Sequence, residues 1–307
     1  MLCSPAIIFS TYLCRTKKLV TMNKNETFLY FYFYYLEELL QQRKAELSKI
    51  KFQSEEANTD EYIKRYLKDV ILENNKIPHN KFSTLTIRSN NQSTTINYSE
   101  VEGFLIESVF LPEELNERQK QDIMATKQSV YTNPDLYLKV KDGQNVSYHS
   151  LEIKTTKNNT IPGSSVQQVS PYEWTVFIKH SGSVVEVTTG YYLNAITDKL
   201  PFPDRSPRPQ IGFDTMQKWN RIHRVLRNRD LSYTTNDEEQ NFKIQCLKNW
   251  EAILCKEWMD TIRRDKSRTE KWFNNTIRMF SLDLLKYIKN NPQALNTMIT
   301  KLERNIN

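Results

Sequence analysis

The sequence predicts an α/β protein in which helices precede and follow a small central sheet of four to five strands. Three observations carry this. Apolar residues recur at three- and four-residue steps from Leu36 to Ile71 and again after Asp237, which is the helical period. Alternation with period two is strongest in the middle, between Asp135 and Thr189. Hydrophobic residues at 38% and aromatics at 11% are enough to fill a core, which excludes wholesale disorder. The 307 residues suit one large domain with an appendage. Four regions follow: 1–21 as a leader, 22–98 as an N-terminal helical region, 99–235 as the core, and 236–307 as a C-terminal helical subdomain.

Met1–Thr21 holds the short apolar run Pro5–Phe9 with Arg15, Lys17 and Lys18 behind it, the reverse of a secretory signal. It reads as a leader or an over-long gene start before Met22. Phe28–Leu40 is aromatic-rich but only 13 residues long, too short to cross a bilayer, so a buried helix or strand is expected. Helical spacing runs through Leu36, Leu39, Leu40, Leu47 and Ile50, then Tyr62, Tyr66, Leu67, Val70 and Ile71. Asn58-Thr59-Asp60 supplies a start signal between the two runs. Asn74–Asn97 is polar, and alternation at Phe82, Leu85 and Ile87 suggests a weak hairpin. Ser99–Glu102 is expected to open a helix that carries Phe104, Leu105 and Val109 and ends near Pro112. A charged surface helix is expected over Glu113–Lys127.

Asp135–Val140 and Val146–Lys154 alternate on either side of Asp142-Gly143, the strongest short-range hairpin signal. Glu173–Lys179 and Val184–Thr189 are rich in β-branched and aromatic residues and read as two more strands. Four prolines in Leu200–Pro209 make an irregular loop. A helical period returns over Phe213–Arg229. Two or three helices, with Trp250, Trp258 and Trp272 in their core, complete Asp237–Asn307.

Cys3, Cys14, Cys246 and Cys255 form no CxxC pair, and the four histidines are scattered, so neither a zinc site nor a disulfide framework is expected. Cys246 and Cys255 read as small core residues. This usage fits a reducing, cytoplasmic setting. With 43 Lys+Arg against 36 Asp+Glu the chain stands at +7, which suits a polyanionic partner.

The hairpin gathers the chemistry. If Asp142 and Gly143 are its turn, facing residues sum to 285 and Asp135 faces Ser150, one step from Glu152. A loop two residues longer would set Asp135 opposite Glu152. Glu152 and Lys154 share a sheet face because side chains repeat every two residues, while Leu151 and Ile153 point into the core. Two neighbouring carboxylates repel, and a hard divalent cation relieves the repulsion. Mg²⁺ suits them because it binds through one or two carboxylates and keeps several waters. Lys154 would orient an attacking water or offset charge on a phosphorus centre.

Pro134-Asp135, sixteen residues, then Glu152-Ile153-Lys154 resembles the PD-(D/E)xK nucleases, best known as type II restriction endonucleases. The match covers about residues 99–200. The resemblance implies a restriction-endonuclease-like αβββαβ core with a mixed central sheet, and Mg²⁺-dependent hydrolysis of phosphodiesters in double-stranded DNA. Asp135 and Glu152 would be the metal ligands and Lys154 the catalytic lysine. Many members add a glutamate from the helix before the first motif strand; Glu107 matches best, with Glu100 and Glu102 as rivals. A homodimer, with flanks 28–72 and 237–300 as candidate interfaces, and a neighbouring DNA methyltransferase are implied as well. Alternatives are a repair or junction-resolving nuclease on the same core, and a nucleic-acid-binding protein without activity.

After the lysine, Lys157, Ser164, Ser165, Gln167 and Gln168 lie in a polar segment of the kind that contacts bases and phosphates. Arg205–Arg229 holds seven basic residues against one acid. Arg205, Arg208, Lys218, Arg221 and Arg224 are the expected phosphate contacts.

Overall fold

The computed structural model describes residues 23–50, 61–89, 92–126, 134–166, 168–181, 184–197, 208–264 and 275–305. The leader 1–21, Gln167, Arg205, Trp272 and most of the Leu200–Pro209 loop lie outside them.

The first helix, α1 (Lys24–Gln42), is capped by Asn23, whose side chain accepts from the Asn25 amide at 3.0 Å. Its aromatic run is the centre of the fold: Phe28, Phe31, Tyr32, Phe33, Leu36 and Leu40 are all sealed from solvent. Phe33 stacks on Trp174 with ring centroids 4.4 Å apart. Each such side chain contributes about 1.5–3 kcal/mol on burial. The short α2 (Lys44–Leu47) and then α3 (Glu61–Glu73) follow, α3 burying Ile63, Leu67, Val70 and Ile71. The expected burial of 28–40 is therefore met as a helix.

A hairpin, β1 (Thr84–Ser89) and β2 (Gln92–Asn97), leads to β3 (Leu105–Phe110) and α4 (Glu117–Thr126). The helix expected from Ser99 is instead a single 3-10 turn followed by β3. A β-bulge at Glu107 shifts the β3 register, so Ile106 and Val109 are buried on one face although three residues apart. That spacing imitates a helix.

The central strands are β4 (Leu136–Asp142) and β5 (Asn145–Thr156), then β6 (Thr160–Pro162), β7 (Trp174–Ser181) and β8 (Val184–Tyr191). After them come α5 (Tyr192–Ala195), β9 (Gln210–Gly212), α6 (Phe213–His223), β10 (Arg224–Arg227) and β11 (Asp230–Thr234). The helix expected over Phe213–Arg229 stops at His223. Asn228 and Arg229 both have left-handed φ, +47° and +73°, and turn β10 back onto β11. Four helices close the described chain: α7 (Asp237–Lys248), α8 (Trp250–Arg263), α9 (Asn275–Asn290) and α10 (Leu295–Glu303).

The result is α/β with mixed sheets. A five-stranded sheet runs in the order β3-β4-β5-β7-β8, antiparallel except where β5 and β7 lie parallel. A four-stranded sheet, β10-β11-β1-β2, joins the hairpin before the large sheet to the one after it, and β6 pairs β9. α1 and α3 share one core with Leu136, Leu138, Leu151 and Ile153 of the large sheet and Leu85 and Leu231 of the second. A smaller core of Phe177, Tyr192, Phe213 and Met216 forms a separate cluster. Cys246 is half-buried and Cys255 exposed, so the latter is not the core residue expected. Among the described residues, no helix is long and apolar enough to cross a membrane.

Arg224 is the clearest departure from expectation. Its guanidinium lies 2.5 Å from the Glu37 carboxylate with only 6% of the side chain exposed, donates to the Thr189 carbonyl at 3.2 Å, and sits over the Tyr34 ring. It ties α1 to β8 through these contacts.

Candidate active site

The β4–β5 turn comprises Gly143 and Gln144, one residue later than expected. Asp142 pairs with Asn145, and Gly143 has the left-handed φ of +56° that a two-residue hairpin loop needs at its first position. Leu136 then pairs with Leu151, so the next step outward brings Asp135 level with Glu152. The shift of one residue achieves what a longer loop would have done.

Glu152 and Lys154 share the sheet face opposite the core residues Leu151 and Ile153. The Lys154 ammonium stands 2.5 Å from Glu152 Oε1, with the two side chains 7% and 10% exposed. Ser164 closes the pair: its hydroxyl accepts from Lys154 at 3.1 Å and donates to Glu152 Oε1 at 3.2 Å. The Ser164 amide in turn donates to the buried Tyr192 hydroxyl at 2.9 Å. Ser164 was expected to face DNA; it holds the carboxylate and ammonium together. Burial pushes the Glu152 carboxyl above its usual range against the pull of Lys154, and the Asp135 carboxylate adds to the rise. Burial opposes the charge on Lys154 most strongly, but Glu152, Tyr192 and Asp135 together outweigh it and hold the ammonium above its ordinary value.

Asp135 sits just before β4. One carboxylate oxygen accepts from the Ile153 amide at 2.7 Å, the peptide N–H between Glu152 and Lys154. The other lies 2.7 Å from the Lys64 ammonium of α3. Sequence reasoning missed Lys64 and Tyr192, since each reaches the site from an element with no motif of its own. Two carboxylates thus face two ammonium groups, and Asp135 binds directly to the backbone of the strand that carries the other two.

Glu107 is not part of this group. It lies on a strand, not a helix, and pairs with Lys139 and Lys141 toward the turn end of the hairpin. Hydrogen bonds from those two ammonium groups hold its carboxyl down at about 2. Glu102 pairs with His79, and the Glu100 carboxylate accepts from the Asn97 amide, so neither rival joins the site. The two remaining carboxylates suit a hard cation that keeps most of its waters, not an all-protein cage. Among the described residues no group of three or more His, Cys, Asp or Glu stands ready to hold a metal.

Lys157, Gln168, Arg208, Lys218 and Arg221 are exposed and Ser165 half-buried. Gln167 and Arg205 lie outside the described residues. Gly163 explains how Ser164 is placed: a Cβ there would lie 2.3 Å from the Tyr192 hydroxyl and 2.8 Å from the Pro209 carbonyl. The Gly163→Ala variant is therefore expected to push Ser164 off the Glu152–Lys154 pair. Its unfolding midpoint should drop by several degrees, as in other tightly packed sites; a thermal scan matching the wild type would contradict this.

His149 on β5, on the strand parity of Leu151 and Ile153, is half-buried, and desolvation pushes its imidazole down to about 4 from the usual 6.5. The unfolded chain then binds a proton that the folded chain refuses between those values. Stability should fall as pH drops from 6.5 toward 4, and His149→Asn should flatten that slope in urea titrations. An unchanged slope would show that another group controls it.

No protein-family model matches this chain, and no curated protein does.

Proposed function

We propose that the chain is a Mg²⁺-dependent endonuclease of the type II restriction class that hydrolyses phosphodiesters in double-stranded DNA. A cytoplasmic homodimer with a cognate methyltransferase as genomic neighbour belongs to the same reading. The observation that supports it most is the attachment of Asp135 to the Ile153 amide, which sets one carboxylate beside the buried Glu152–Lys154 pair. The order of elements agrees with a restriction-endonuclease-like core: α3, then antiparallel β3, β4 and β5, then β7 parallel to β5. One difference stands against the αβββαβ pattern. The described residues between β5 and β7 form turns and β6 where a helix is implied.

Asp135 and Glu152 would hold Mg²⁺, which when bound lowers the pKa of a water and offsets charge on the leaving oxygen. Lys154 reaches the same space and stabilises negative charge gathering on the phosphoryl oxygens. Water oxygen bonds to phosphorus, the P–O3′ bond breaks, and the products are a 3′-hydroxyl and a 5′-phosphate. Lys64, which now pairs with Asp135, would be available to the DNA backbone if Asp135 held the metal. Lys157, Arg208, Lys218 and Arg221 are the exposed cations left for sequence-blind phosphate contact.

A dimer is needed because one site cuts one strand. Both flanks offer apolar surface for that interface: Tyr62 of α3 is exposed, as are Phe280 and Leu285 of α9 and Leu302 of α10. A second reading, a nucleic-acid-binding protein without activity, is favoured by one fact: each carboxylate already holds a lysine ammonium. Digestion of a mapped plasmid separates the two. Discrete fragments in Mg²⁺ support the nuclease, and DNA binding with no fragments supports the binder.

A further inference from the structure

The two lysines of the site hold its two carboxylates in different ways. Lys154 and Ser164 both bind Glu152 through Oε1, which keeps their bonds off Oε2. Asp135 has less to spare. Its Oδ2 accepts from the Ile153 amide at 2.7 Å, so the backbone of β5 fixes the carboxylate in place. Oδ1 is the oxygen left to offer a metal, and the Lys64 ammonium lies on it at 2.7 Å.

Access separates the lysines as well. The Lys64 side chain is 24% exposed, against 7% for Lys154. A partly exposed ion pair is weak and breaks at small cost, whereas a sealed one is costly to open. Lys64 forms no second ion pair among the described residues that would hold it in place. It also comes from α3, the helix before the first strand of the large sheet. Glu107, Glu102 and Glu100 are all bound elsewhere. The group that reaches Asp135 from outside the sheet thus carries the charge of a metal, not of a further ligand.

We propose that Lys64 is a resident counter-ion that competes with the divalent cation for Asp135 Oδ1. Without a metal its ammonium neutralises Asp135 and relieves the repulsion from Glu152. A cation that takes Oδ1 must first move Lys64 aside, so Lys64 lowers the metal affinity of the site. It is a positioning residue, and Lys154 keeps the catalytic role. The inference rests on the nuclease reading and deepens it by naming the residue that sets how tightly the metal is held.

The test measures Mn²⁺ binding by the full chain without DNA, from the paramagnetic resonance signal of the free ion. Lys64→Gln keeps a neutral N–H for Asp135 and removes the charge, and is expected to bind Mn²⁺ at least about fivefold more tightly than wild type, a gain of about 1 kcal/mol. Lys64→Arg keeps the cation and should bind no more tightly. Lys68→Met removes the same charge one turn further along α3, where Lys68 pairs with Glu114 at 2.6 Å, and should match wild type. In the wild-type chain, saturating Mg²⁺ should speed the acetylation of Lys64 by an amine-reactive ester, read by mass spectrometry, and leave Lys68 unchanged. Lys64→Gln with no gain in affinity, an equal gain in Lys64→Arg or Lys68→Met, or a Lys64 no more reactive in Mg²⁺ would each overturn the inference and leave the metal site standing. No Mn²⁺ binding by any of these proteins, or Asp135→Asn binding as tightly as wild type, would remove the metal site itself and this inference with it.

Discussion

Replacing Lys154 with Met should lower the DNA-cleavage rate in Mg²⁺ by at least about 10²–10³-fold, the loss typical when one group that stabilises transition-state charge is removed. Lys154 is the only one of the two site lysines placed among the strand residues themselves, with Glu152 at 2.5 Å and Ser164 at 3.1 Å. The substitution also leaves the Glu152 carboxylate buried beside Asp135 without its counter-charge. Removing one partner of such a pair costs about 3–5 kcal/mol. Glu152 can escape by taking up a proton, and its carboxyl already lies above the usual range. Loss of the ammonium lifts it further, so the variant should recover stability as pH falls and be weakest at alkaline pH. Glu152→Gln/Lys154→Met should regain stability at all pH values while remaining inactive. Stability and cleavage falling in strict proportion across these three variants would show that Lys154 only holds the fold.

Arg224→Met should cause the largest loss of stability away from the site, about 3–5 kcal/mol and an unfolding temperature lower by about 10 °C. Glu37 would keep its bonds from the Thr188 and Thr189 hydroxyls at 3.3 and 3.2 Å but lose the guanidinium that balances its charge. Glu37→Gln/Arg224→Met should be much less affected. DNA affinity measured on the folded fraction should stay the same for Arg224→Met and drop for Lys218→Ala or Arg221→Ala, whose side chains are exposed. A thermal transition within a degree of wild type would contradict the burial argument.

Much of this architecture was legible where local signals agree with tertiary context. The aromatic run of α1 is too apolar to lie on a surface, and the strands at β7 and β8 follow directly from β-branched sequence. The Asp142-Gly143 pair marks the β4–β5 hairpin, and parity along β5 puts Glu152 and Lys154 on one face whatever the turn. The turn itself slipped by one residue because glycine takes the left-handed position, and that slip is what brings Asp135 level with Glu152.

Other features left no local trace. A bulge converts the two-residue step of β3 into a three-residue one, which gives the segment around Glu107 the spacing of a helix. Asn228-Arg229 makes a tight turn without glycine, which hid β10 and left Arg224 looking like one more cation on a basic helix. The positions of Lys64 and Tyr192 are set entirely by packing between distant segments. Glu37 and Arg224, 187 residues apart, meet for the same reason.

The most direct measurement is a paired assay of Asp135→Asn and wild type on one mapped plasmid, with cleavage scored in Mg²⁺ and binding scored in Ca²⁺. Discrete fragments are expected from the wild type only, and DNA binding from both proteins. Wild-type protein that binds DNA but never cuts it, or Asp135→Asn that cuts as fast as wild type, would contradict it.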